Sequence, residues 1–354
     1  MTISSYQLIE EIHESANSLV YRGLRNLDRQ PVILKILKSD YPTPQEIARY
    51  KQEYEITRNL NKEGSVRVYG LENYQNSLAI ILQDFGGESL KTWMKAQKFS
   101  LEEFLIIAIK ITEDLSEIHA SNIIHKDINP SNIVFNPATG QLKIIDFGIA
   151  TLLSRENLTL HNPLVLEGTL AYISPEQTGR MNRAIDCRTD FYSLGITFYE
   201  LLTHQLPFDT TDAMELVHSH IALTPIAPHE LNSDIPKAVS DIVMKLLAKS
   251  AEERYQSAWG LKADLQECLT QLQNQGQITE FLLGSQDISD KFQISQKLYG
   301  REKEVETLLA AFERVAAGGI GRGGDDNSQS LISSPQSHIL HHLPYQAMHY
   351  SHLS

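Results

Sequence analysis

Hydrophobic and polar positions alternate along the first part of the chain as they do in half-buried β-strands. The alternation predicts strands over Tyr6–Ile12, Leu19–Gly23, Val32–Leu37, Val66–Leu71 and Leu78–Gln83. A helix is predicted between the third and fourth strands, because Thr43 and Glu46 form a capping-box pair around Pro44, and proline suits the first helical position. We expect this helix to end near Leu60.

The apolar spacing changes to that of helices after a second capping box, Ser100 with Glu103. Three apolar stripes then follow, which we interpret as the buried faces of helices. They comprise Phe104, Ile107, Ile111, Leu115 and Ile118; Phe191, Leu194, Phe198 and Leu201; and Leu261, Leu265, Cys268 and Leu272. The chain is therefore predicted to be an α+β protein, with a small β-rich lobe over about 1–85 and a larger, mainly helical lobe over about 86–273. A cleft between two such lobes is a favoured ligand site.

The pattern weakens toward the C-terminus. Residues 274–297 are rich in Gln, Ser and Asp and are predicted to be a linker. Helical spacing returns through Val305, Leu308 and Phe312 and is lost after Val315. Residues 318–354 hold a glycine cluster and five of the 13 histidines, with little that a core would bury. We expect this tail to be disordered.

Composition narrows the class of protein. Hydrophobic residues make up 42% and charged residues 21% of the 354 residues, which excludes a chain that is disordered throughout. A net charge of −13 argues against nucleic acid and acidic membranes as partners, since both would repel it. The N-terminus lacks the pattern of a signal peptide, and two cysteines exclude a disulfide framework. We expect a cytoplasmic protein without a membrane partner.

The candidate chemistry lies in two short segments. Residues 125–132 (HKDINPSN) place an aspartate five residues before an asparagine, and residues 146–148 (DFG) follow shortly after. Phosphoryl transfer from ATP requires neutralised phosphate charge, a metal against the phosphate oxygens and a carboxylate that orients the attacking hydroxyl. Asp127 can supply that carboxylate, Asn132 a neutral metal ligand and Asp146 a charged one.

These two segments resemble the catalytic and metal-binding loops of the protein kinase family. The resemblance implies a two-lobed α+β kinase fold with the kinase domain over 1–273, and ATP and Mg²⁺ as cofactors. It implies Asp127 as a catalytic residue, and Asn132 and Asp146 as ligands of both metal and nucleotide. His125 would brace the catalytic loop instead of acting as a base.

The resemblance extends upstream in the order that the family shows. Residues 32–35 (VILK) are similar to the family's Val-Ala-Ile-Lys, so Lys35 would contact the α- and β-phosphates. Glu53 is the implied ion-pair partner of Lys35, with Glu55 as the alternative. Residues 83–85 fall in the hinge that binds adenine, after Leu82 at the gatekeeper position. The implied nucleotide contacts are Ile12, Val20, Lys35, Gln83, Phe85, Asn132 and Asp146.

The resemblance also extends downstream. Gly168-Thr169 and Ser174-Pro175-Glu176 are similar to the end of the activation segment in kinases of the Ser/Thr type, and Thr169 would bond Asp127. The same comparison implies that Asp190 anchors the catalytic loop and that Arg254 pairs with Glu176. The implied substrates are protein serine and threonine hydroxyls.

Two departures from the family pattern change the expectation. The glycine-rich loop falls on residues 13–18, where none of the three glycines is present, so the backbone loses freedom to approach phosphates. Ser15 and Ser18 can still donate hydroxyls, whereas Glu14 is expected to repel phosphate. Asn129 stands among the catalytic residues where a lysine is usual, which removes a cation. Both departures predict slower turnover.

Two functions are compatible with these residues. The first is an ATP-dependent serine/threonine protein kinase in bacterial signal transduction. The second is a pseudokinase, a nucleotide-binding scaffold that regulates an associated signalling protein. Residues 298–317 resemble the start of the P-loop ATPase module that follows the kinase domain in large bacterial signalling proteins, but its phosphate loop is missing here. The partners implied are protein substrates and a downstream ATPase or histidine kinase module.

Overall fold

The computed structural model describes residues 2–3, 5–15, 17–60, 66–152, 168–180 and 183–287. The chain divides into two compact units, Met1–Phe292 and Gln293–Ser354. The second unit lies outside the described residues. The predicted start of an ATPase module and the predicted disordered tail therefore lie outside them as well.

The N-terminal lobe is an antiparallel sheet with the strand order β1-β2-β3-β4-β6-β5. Its strands are β1 Thr2–Ile3, β2 Tyr6–Glu14, β3 Ser18–Arg25, β4 Pro31–Leu37, β5 Val68–Tyr74 and β6 Ser77–Gln83. Helix α1, Pro44–Asn59, lies between β4 and β5 in the chain, and Thr43 and Glu46 make both bonds of the capping box. The predicted strands and helix of this lobe are confirmed, with boundaries that move by up to three residues.

The two faces of this sheet bury different side chains. Val32, Leu34 and Ile36 alternate on one face of β4 and fill the curl of the sheet, where they are at most 3% exposed. The hydroxyl of Tyr6 on β2 donates to Glu72 on β5 at 3.0 Å, so the curl brings the two sides of the sheet together. The opposite face of β4 is left for α1 and for Lys35.

The C-terminal lobe is mainly helical. Its helices are α2 Leu90–Ala96, α3 Leu101–Ala120, α4 Arg188–Thr203, α5 Ala213–Ala222, α6 Pro228–Leu231, α7 Lys237–Leu246 and α8 Ala258–Gln275. Its short strands are β7 Glu88–Ser89, β8 Ile123–Ile124, β9 Ile133–Asn136, β10 Gln141–Ile144 and β11 Thr151–Leu152. Two 3₁₀ turns, Leu170–Tyr172 and Pro175–Thr178, precede α4. The α+β two-lobed fold is confirmed.

One large core joins the helices of this lobe. The predicted apolar stripes of α3, α4 and α8 all lie in it, and α3 packs directly against α8. Phe104 of α3 meets Phe198 of α4 edge to face, with 5.5 Å between the ring centroids. Leu272, the last member of its stripe, is only partly buried. The stripes therefore form core, as their spacing predicts.

The segment after α8 differs from the sequence expectation. Residues 276–287 fall within the predicted linker, yet they pack on the C-terminal lobe. The Gln271 side chain accepts the Thr279 amide at 2.8 Å, and Asp264 accepts the Gly284 amide at 2.7 Å. Asp287 accepts the amides of Gln256 and Ser257 at 2.7 and 2.9 Å. Asp287 is a polar residue of this segment whose carboxylate binds backbone amides of the lobe, so its polarity does not indicate a solvated linker.

His220 is a fully buried histidine on α5. Its ring packs edge to face against Tyr192 and Phe208, with centroid separations of 5.8 and 5.2 Å. Burial, together with the Lys249 ammonium, lowers the pKa of His220 to about 4. Protonation of this ring is therefore less favourable in the folded protein than in the unfolded chain.

Acidification is expected to destabilise the protein through His220. The unfolded chain takes up a proton at this histidine near its ordinary pKa of 6.5, and the folded chain only near about 4, so stability is lost as the pH falls across that window. We expect the free energy of unfolding in urea to fall by roughly 2 kcal/mol more in the wild type than in His220→Gln between about pH 7 and about pH 4.5.

The comparison with the variant matters because other groups titrate in the same range. Burial raises the pKa of Asp114 to about 7, and a raised carboxyl pKa adds stability as the pH falls. This contribution is common to wild type and variant and cancels in their difference. Parallel stability profiles of the two proteins would contradict the assignment to His220.

Candidate active site

Lys35 lies at the centre of a buried ion cluster between the two lobes. Its Nζ donates to Glu53 at 2.6 Å and to Asp146 at 2.8 Å. Lys35 and Glu53 are 7% and 6% exposed, whereas the Asp146 side chain keeps 38% of its surface open. The cluster therefore joins β4, α1 and the segment after β10, and it is open on the side of Asp146. Glu53, and not Glu55, is the partner of Lys35.

Elementary packing explains how Lys35 reaches this place. On β4 it is registered with Val20 of β3 and Ile80 of β6, so the three side chains share the sheet face that looks toward α1. Tyr50 lies one turn before Glu53 on α1, and its hydroxyl donates to the backbone carbonyl of Lys35. Two residues on one helix face thus hold the main chain and the side chain of the same lysine.

Burial and mutual attraction act in opposite directions on the pKa values of the three charged groups in this cluster. Burial alone lowers the pKa of Lys35, but the carboxylates of Glu53 and Asp146 outweigh it and leave that pKa above its ordinary value. Burial raises the pKa of Glu53, and Lys35 does not fully offset it. Burial also raises the pKa of Asp146, but the Lys35 ammonium holds it below its usual range. Lys35 and Asp146 are therefore an ammonium and a carboxylate at neutral pH.

Asp127 is half-buried, and both of its carboxylate oxygens are oriented. Oδ2 accepts the Asn132 side-chain amide at 2.9 Å, and Oδ1 accepts the backbone amide of Thr169 at 2.9 Å. The expected bond between Thr169 and Asp127 is thus made by the main chain of Thr169. These two donors hold the carboxylate in one orientation.

Asp146 is held next to this loop through the residue before it. The backbone amide of Ile145 donates to the Asn132 carbonyl at 2.9 Å, and the Ile145 carbonyl lies 3.0 Å from Nε2 of His125. His125 is fully buried, and its Nδ1 accepts the Asp127 amide at 3.3 Å. His125 therefore braces both segments, as the sequence predicts.

Asp190 of α4 anchors the start of the catalytic loop through two backbone amides. It is fully buried and accepts the backbone amides of His125 and Lys126 at 2.9 and 2.7 Å, while Nε2 of His119 lies 2.8 Å away. Burial raises the pKa of Asp190, but the bonds from His119 and the amides hold it below its ordinary value. Lys126 takes the positive φ of 69°, a conformation that this pair of amide bonds stabilises.

Asn129 supports the catalytic loop from within. It is 4% exposed, its side-chain nitrogen donates to the Asp127 carbonyl at 3.1 Å, and its side-chain oxygen accepts the Ser131 amide at 2.9 Å. Both amide atoms are therefore engaged inside the loop. This placement makes Asn129 a positioning residue for Asp127, and not a group aimed at the cleft.

The hinge residues lie where β6 leaves the sheet. The backbone amide of Gln83 donates to the Arg67 carbonyl at 2.9 Å, and the Phe85 carbonyl accepts the Asn136 side chain at 2.6 Å. Asn136 belongs to β9 of the C-terminal lobe, so this bond joins the hinge to that lobe. Sequence reasoning missed Asn136 and Tyr50. The spacing of Tyr50, three residues before Glu53, was a signal that could have found it.

The two apolar residues implied in nucleotide binding lie on neighbouring strands. Val20 on β3 is registered with His13 of β2 and with Lys35 of β4. Ile12 on β2 sits at an irregularity of the β2–β3 ladder and is 42% exposed. Both residues thus border the sheet region around Lys35.

The turn between β2 and β3 corrects the expectation for Glu14. Its carboxylate pairs with Lys38, whose hydrogen bond lowers the pKa of Glu14. The charge expected to repel phosphate is therefore compensated. Ser15 Oγ accepts the backbone amides of Asn17 and Ser18 at 3.3 and 3.0 Å, and it lies 3.0 Å from the Ser18 hydroxyl. The serines are thus bonded to the turn itself.

The end of the activation segment is tied to the C-terminal lobe by a buried ion pair. Arg254, 1% exposed, donates to both carboxylate oxygens of Glu176 at 2.6 and 2.9 Å. Burial raises the pKa of Glu176, but Arg254 holds it below its ordinary value. Next to this pair, Gln177 donates to the Lys126 carbonyl at 2.9 Å. The implied Arg254–Glu176 contact is present.

The β-rich lobe, the helical lobe and the cluster between them are those of a kinase-like α+β protein. The family model described as the protein kinase domain matches residues 6–266, and the chain belongs to this family. In the part of the chain that the structure describes, no helix is both long and apolar enough to span a membrane.

Curated relatives carry related names. A probable serine/threonine-protein kinase of Clostridium acetobutylicum is 31% identical over 255 residues, which is 72% of this chain and 38% of the relative. Serine/threonine-protein kinase PrkC of Bacillus subtilis is 31% identical over 262 residues, 73% of this chain and 40% of PrkC. Hybrid signal transduction histidine kinase G of Dictyostelium discoideum is 32% identical over 312 residues, 64% of this chain and 9% of that protein. The matched region thus spans two fifths or less of each of these relatives.

Proposed function

We propose that the protein is a serine/threonine protein kinase that transfers the γ-phosphate of ATP to protein hydroxyls in signal transduction. One observation carries the proposal: the Lys35–Glu53–Asp146 ion cluster stands beside an Asp127 carboxylate whose two oxygens are fixed by Asn132 and Thr169. An ammonium for phosphate, oxygen ligands for a metal and an oriented carboxylate are the three groups that phosphoryl transfer needs.

The residues fit a magnesium ion that is completed by the nucleotide. Asp146 offers a carboxylate of lowered pKa, and Asn132, whose amide nitrogen donates to Asp127, offers its amide oxygen. Mg²⁺ prefers such oxygens and usually keeps further positions for phosphates and water. Among the described residues no group of three or more His, Cys, Asp or Glu could hold a metal by itself. When bound by Asp146 and Asn132, such an ion would neutralise the charge that develops on the transferred phosphoryl group.

Asp127 has the orienting role in this proposal. Its carboxylate accepts a hydrogen bond from the substrate hydroxyl and takes the proton as the new phosphate ester forms. Lys35 positions the phosphates, and Glu53 and Tyr50 position Lys35. Ile12, Val20, Gln83 and Phe85 border the nucleotide, with hinge main-chain groups toward adenine.

The substrate class follows from the resemblance of the activation segment around Thr169 to the Ser/Thr type, and from the names of the relatives. We further propose cytoplasmic protein substrates and an ATPase or histidine kinase module downstream of residue 297. The match to a hybrid histidine kinase supports that downstream partner.

A phosphotransfer assay tests the proposal. The purified chain is incubated with Mg²⁺ and γ-labelled ATP, with a basic protein and with a generic peptide pool, and the products are analysed for phosphoserine and phosphothreonine. Lys35→Met is expected to lower the rate about 10²-fold, since it removes one charged contact to the transferring phosphates. Wild-type incorporation no higher than that of Lys35→Met on both substrates would contradict a kinase.

A specific observation favours the alternative of a nucleotide-binding scaffold. Ser15 occupies the two amides at the tip of the β2–β3 turn, and Asn129 is turned into the loop where a lysine would offer a cation. Both features weaken the hold on the transferring phosphate. Binding of Mg-ADP together with no incorporation in the assay above would establish the scaffold.

The Ser15 bonds lead to a prediction. Ser15→Ala removes the side chain that occupies the amides of Asn17 and Ser18, and the amide of the exposed Asn17 then becomes free to donate to phosphate. We expect the dissociation constant of Mg-ADP, measured by titration calorimetry, to decrease about 3- to 10-fold, as one added hydrogen bond would give. Thr210→Ala is a control, because it removes a hydroxyl whose bond, to Glu215, belongs to the C-terminal lobe and not to the β2–β3 turn. Weaker ADP binding by Ser15→Ala would contradict the prediction.

A further inference from the structure

Arg22 links the sheet of the N-terminal lobe to the hinge. It lies on β3, two residues after Val20, and is registered with Ile33 of β4, so its side chain stands on the same sheet face as Lys35. Its Nε donates to Oδ2 of Asp84 at 2.8 Å, and the Asp84 side chain is only 7% exposed. The strand that borders the nucleotide is thus paired with the residue between Gln83 and Phe85.

The same carboxylate also shapes the turn that follows. Oδ1 of Asp84 accepts the backbone amide of Gly86 at 2.8 Å, and Gly86 takes a φ of +71°. Arg22 Nη2 reaches the Gly87 carbonyl at 3.4 Å. Arg22 therefore contacts the hinge on both sides of Phe85, at Asp84 and at Gly87.

Other charges near Arg22 are weaker partners. Glu10, directly across the β2–β3 ladder, lies 3.7 Å from its Nη1 and has a side chain that is 61% exposed. A carboxylate as buried as that of Asp84 requires a partner, because burial without one is costly. Without Arg22, Asp84 would be expected to turn toward solvent and to release the Gly86 amide.

We propose that Arg22 and Asp84 are positioning residues that fix the hinge main chain around Phe85 for the purine of a nucleoside phosphate. The inference rests on the proposed function for its ligand, whereas the hinge conformation itself does not depend on it. Arg22 does not touch the reacting atoms. It acts through Asp84 and the turn at Gly86, so it sets nucleotide affinity and leaves the transfer step unchanged.

The first test needs no nucleotide. Amide hydrogen exchange is measured on the wild type, Arg22→Met and Arg25→Met. Arg25 is a matched control, because its side chain is 29% exposed like that of Arg22 and its carboxylate partner is Asp28, in the turn after β3, instead of a hinge residue. We expect exchange at residues 84–87 to accelerate at least 5-fold in Arg22→Met and to stay unchanged in Arg25→Met.

The second test uses Mg-ADP as the probe. Arg22→Met and Asp84→Asn are each expected to weaken ADP binding about 5- to 10-fold, the loss for one charge-assisted bond, and the double variant no more than the larger single effect. Arg22→Lys restores part of the affinity. In the kinase assay the KM for ATP rises by the same factor, while kcat changes less than about 2-fold.

The outcomes separate the two proposals. Equal hinge exchange in Arg22→Met and wild type, or equal acceleration in Arg25→Met, overturns the positioning role whatever the protein binds. Faster hinge exchange without any change of ADP affinity overturns the link to the nucleotide. Failure of the wild type itself to bind Mg-ADP overturns the proposed function, and in that case the exchange experiment alone decides whether Arg22 holds the hinge.

Discussion

Asp127→Asn is expected to lower kcat for phosphotransfer by about 10³-fold, the effect of removing a positioned general base. The variant keeps the shape of the side chain but not its negative charge or its ability to take a proton from the attacking hydroxyl. In the wild type, Asn132 and the Thr169 amide both donate to the Asp127 carboxylate. The neutral amide of the variant is a poorer acceptor for these two donors. Incorporation of labelled phosphate under single-turnover conditions measures the change.

Nucleotide binding is the control for this prediction. Among the described residues, no hydrogen bond or ion pair joins Asp127 to Lys35 or to the hinge. The dissociation constant of Mg-ADP is therefore expected to change less than about 3-fold. Asn129→Ala serves as a comparison within the same loop, since it removes support for Asp127 without removing the carboxylate, and a smaller loss of about 10-fold is expected. A kcat for Asp127→Asn within 10-fold of the wild type would contradict the assignment of Asp127 as the general base.

Arg254→Met is expected to lower the free energy of unfolding by about 3–5 kcal/mol, because it leaves the buried Glu176 carboxylate without its charge partner. Glu176 is 5% exposed, and Thr189 supplies its only other side-chain bond shown among the described residues, at 2.8 Å. Urea denaturation measures the loss. Activity is also expected to fall, since the segment that bears Glu176 leads back to Thr169 and Asp127.

Two comparison variants define the cause. Arg183→Met removes a more exposed partner of Glu252, with side chains 19% and 21% exposed, and is expected to cost about 1 kcal/mol or less. The double variant Arg254→Met with Glu176→Gln relieves the unpaired charge and should recover part of the loss. A loss of similar size for the Arg183 and Arg254 variants would contradict a special role for the buried pair.

Helices and strands could be predicted from the sequence because the patterns that indicate them span only a few residues. The capping box of Thr43 and Glu46 sets the start of α1 where the sequence predicts it, since the bonds involved span three residues. The spacing of Phe104 and its followers predicts the buried face of α3 for the same reason. The sheet strands were predicted to within a few residues, because alternation weakens gradually at strand ends.

The partners of charged and polar side chains could not be predicted from such short patterns. Glu14 was expected to repel phosphate, but Lys38, which follows β4, bonds the β2–β3 turn and lies beside it. Residues 276–287 were predicted to be a linker, but the Gly284 amide donates to Asp264 and Asp287 accepts the Gln256 amide, across 20 and 31 positions of the chain. The local spacing of a polar residue does not indicate which distant partner it meets.

The amino-acid sequence by itself determined the strand and helix order, the apolar stripes that form the core and the short segments around Asp127 and Asp146. These follow from spacing within a few residues, which the backbone geometry of helices and strands dictates. Only the tertiary structure decided between Glu53 and Glu55 as the partner of Lys35 and added Asp146 as a second one. It alone showed that Tyr50 bonds the Lys35 main chain and that Arg22 bonds Asp84. Such contacts join residues up to 111 positions apart, and their existence depends on how the lobes pack.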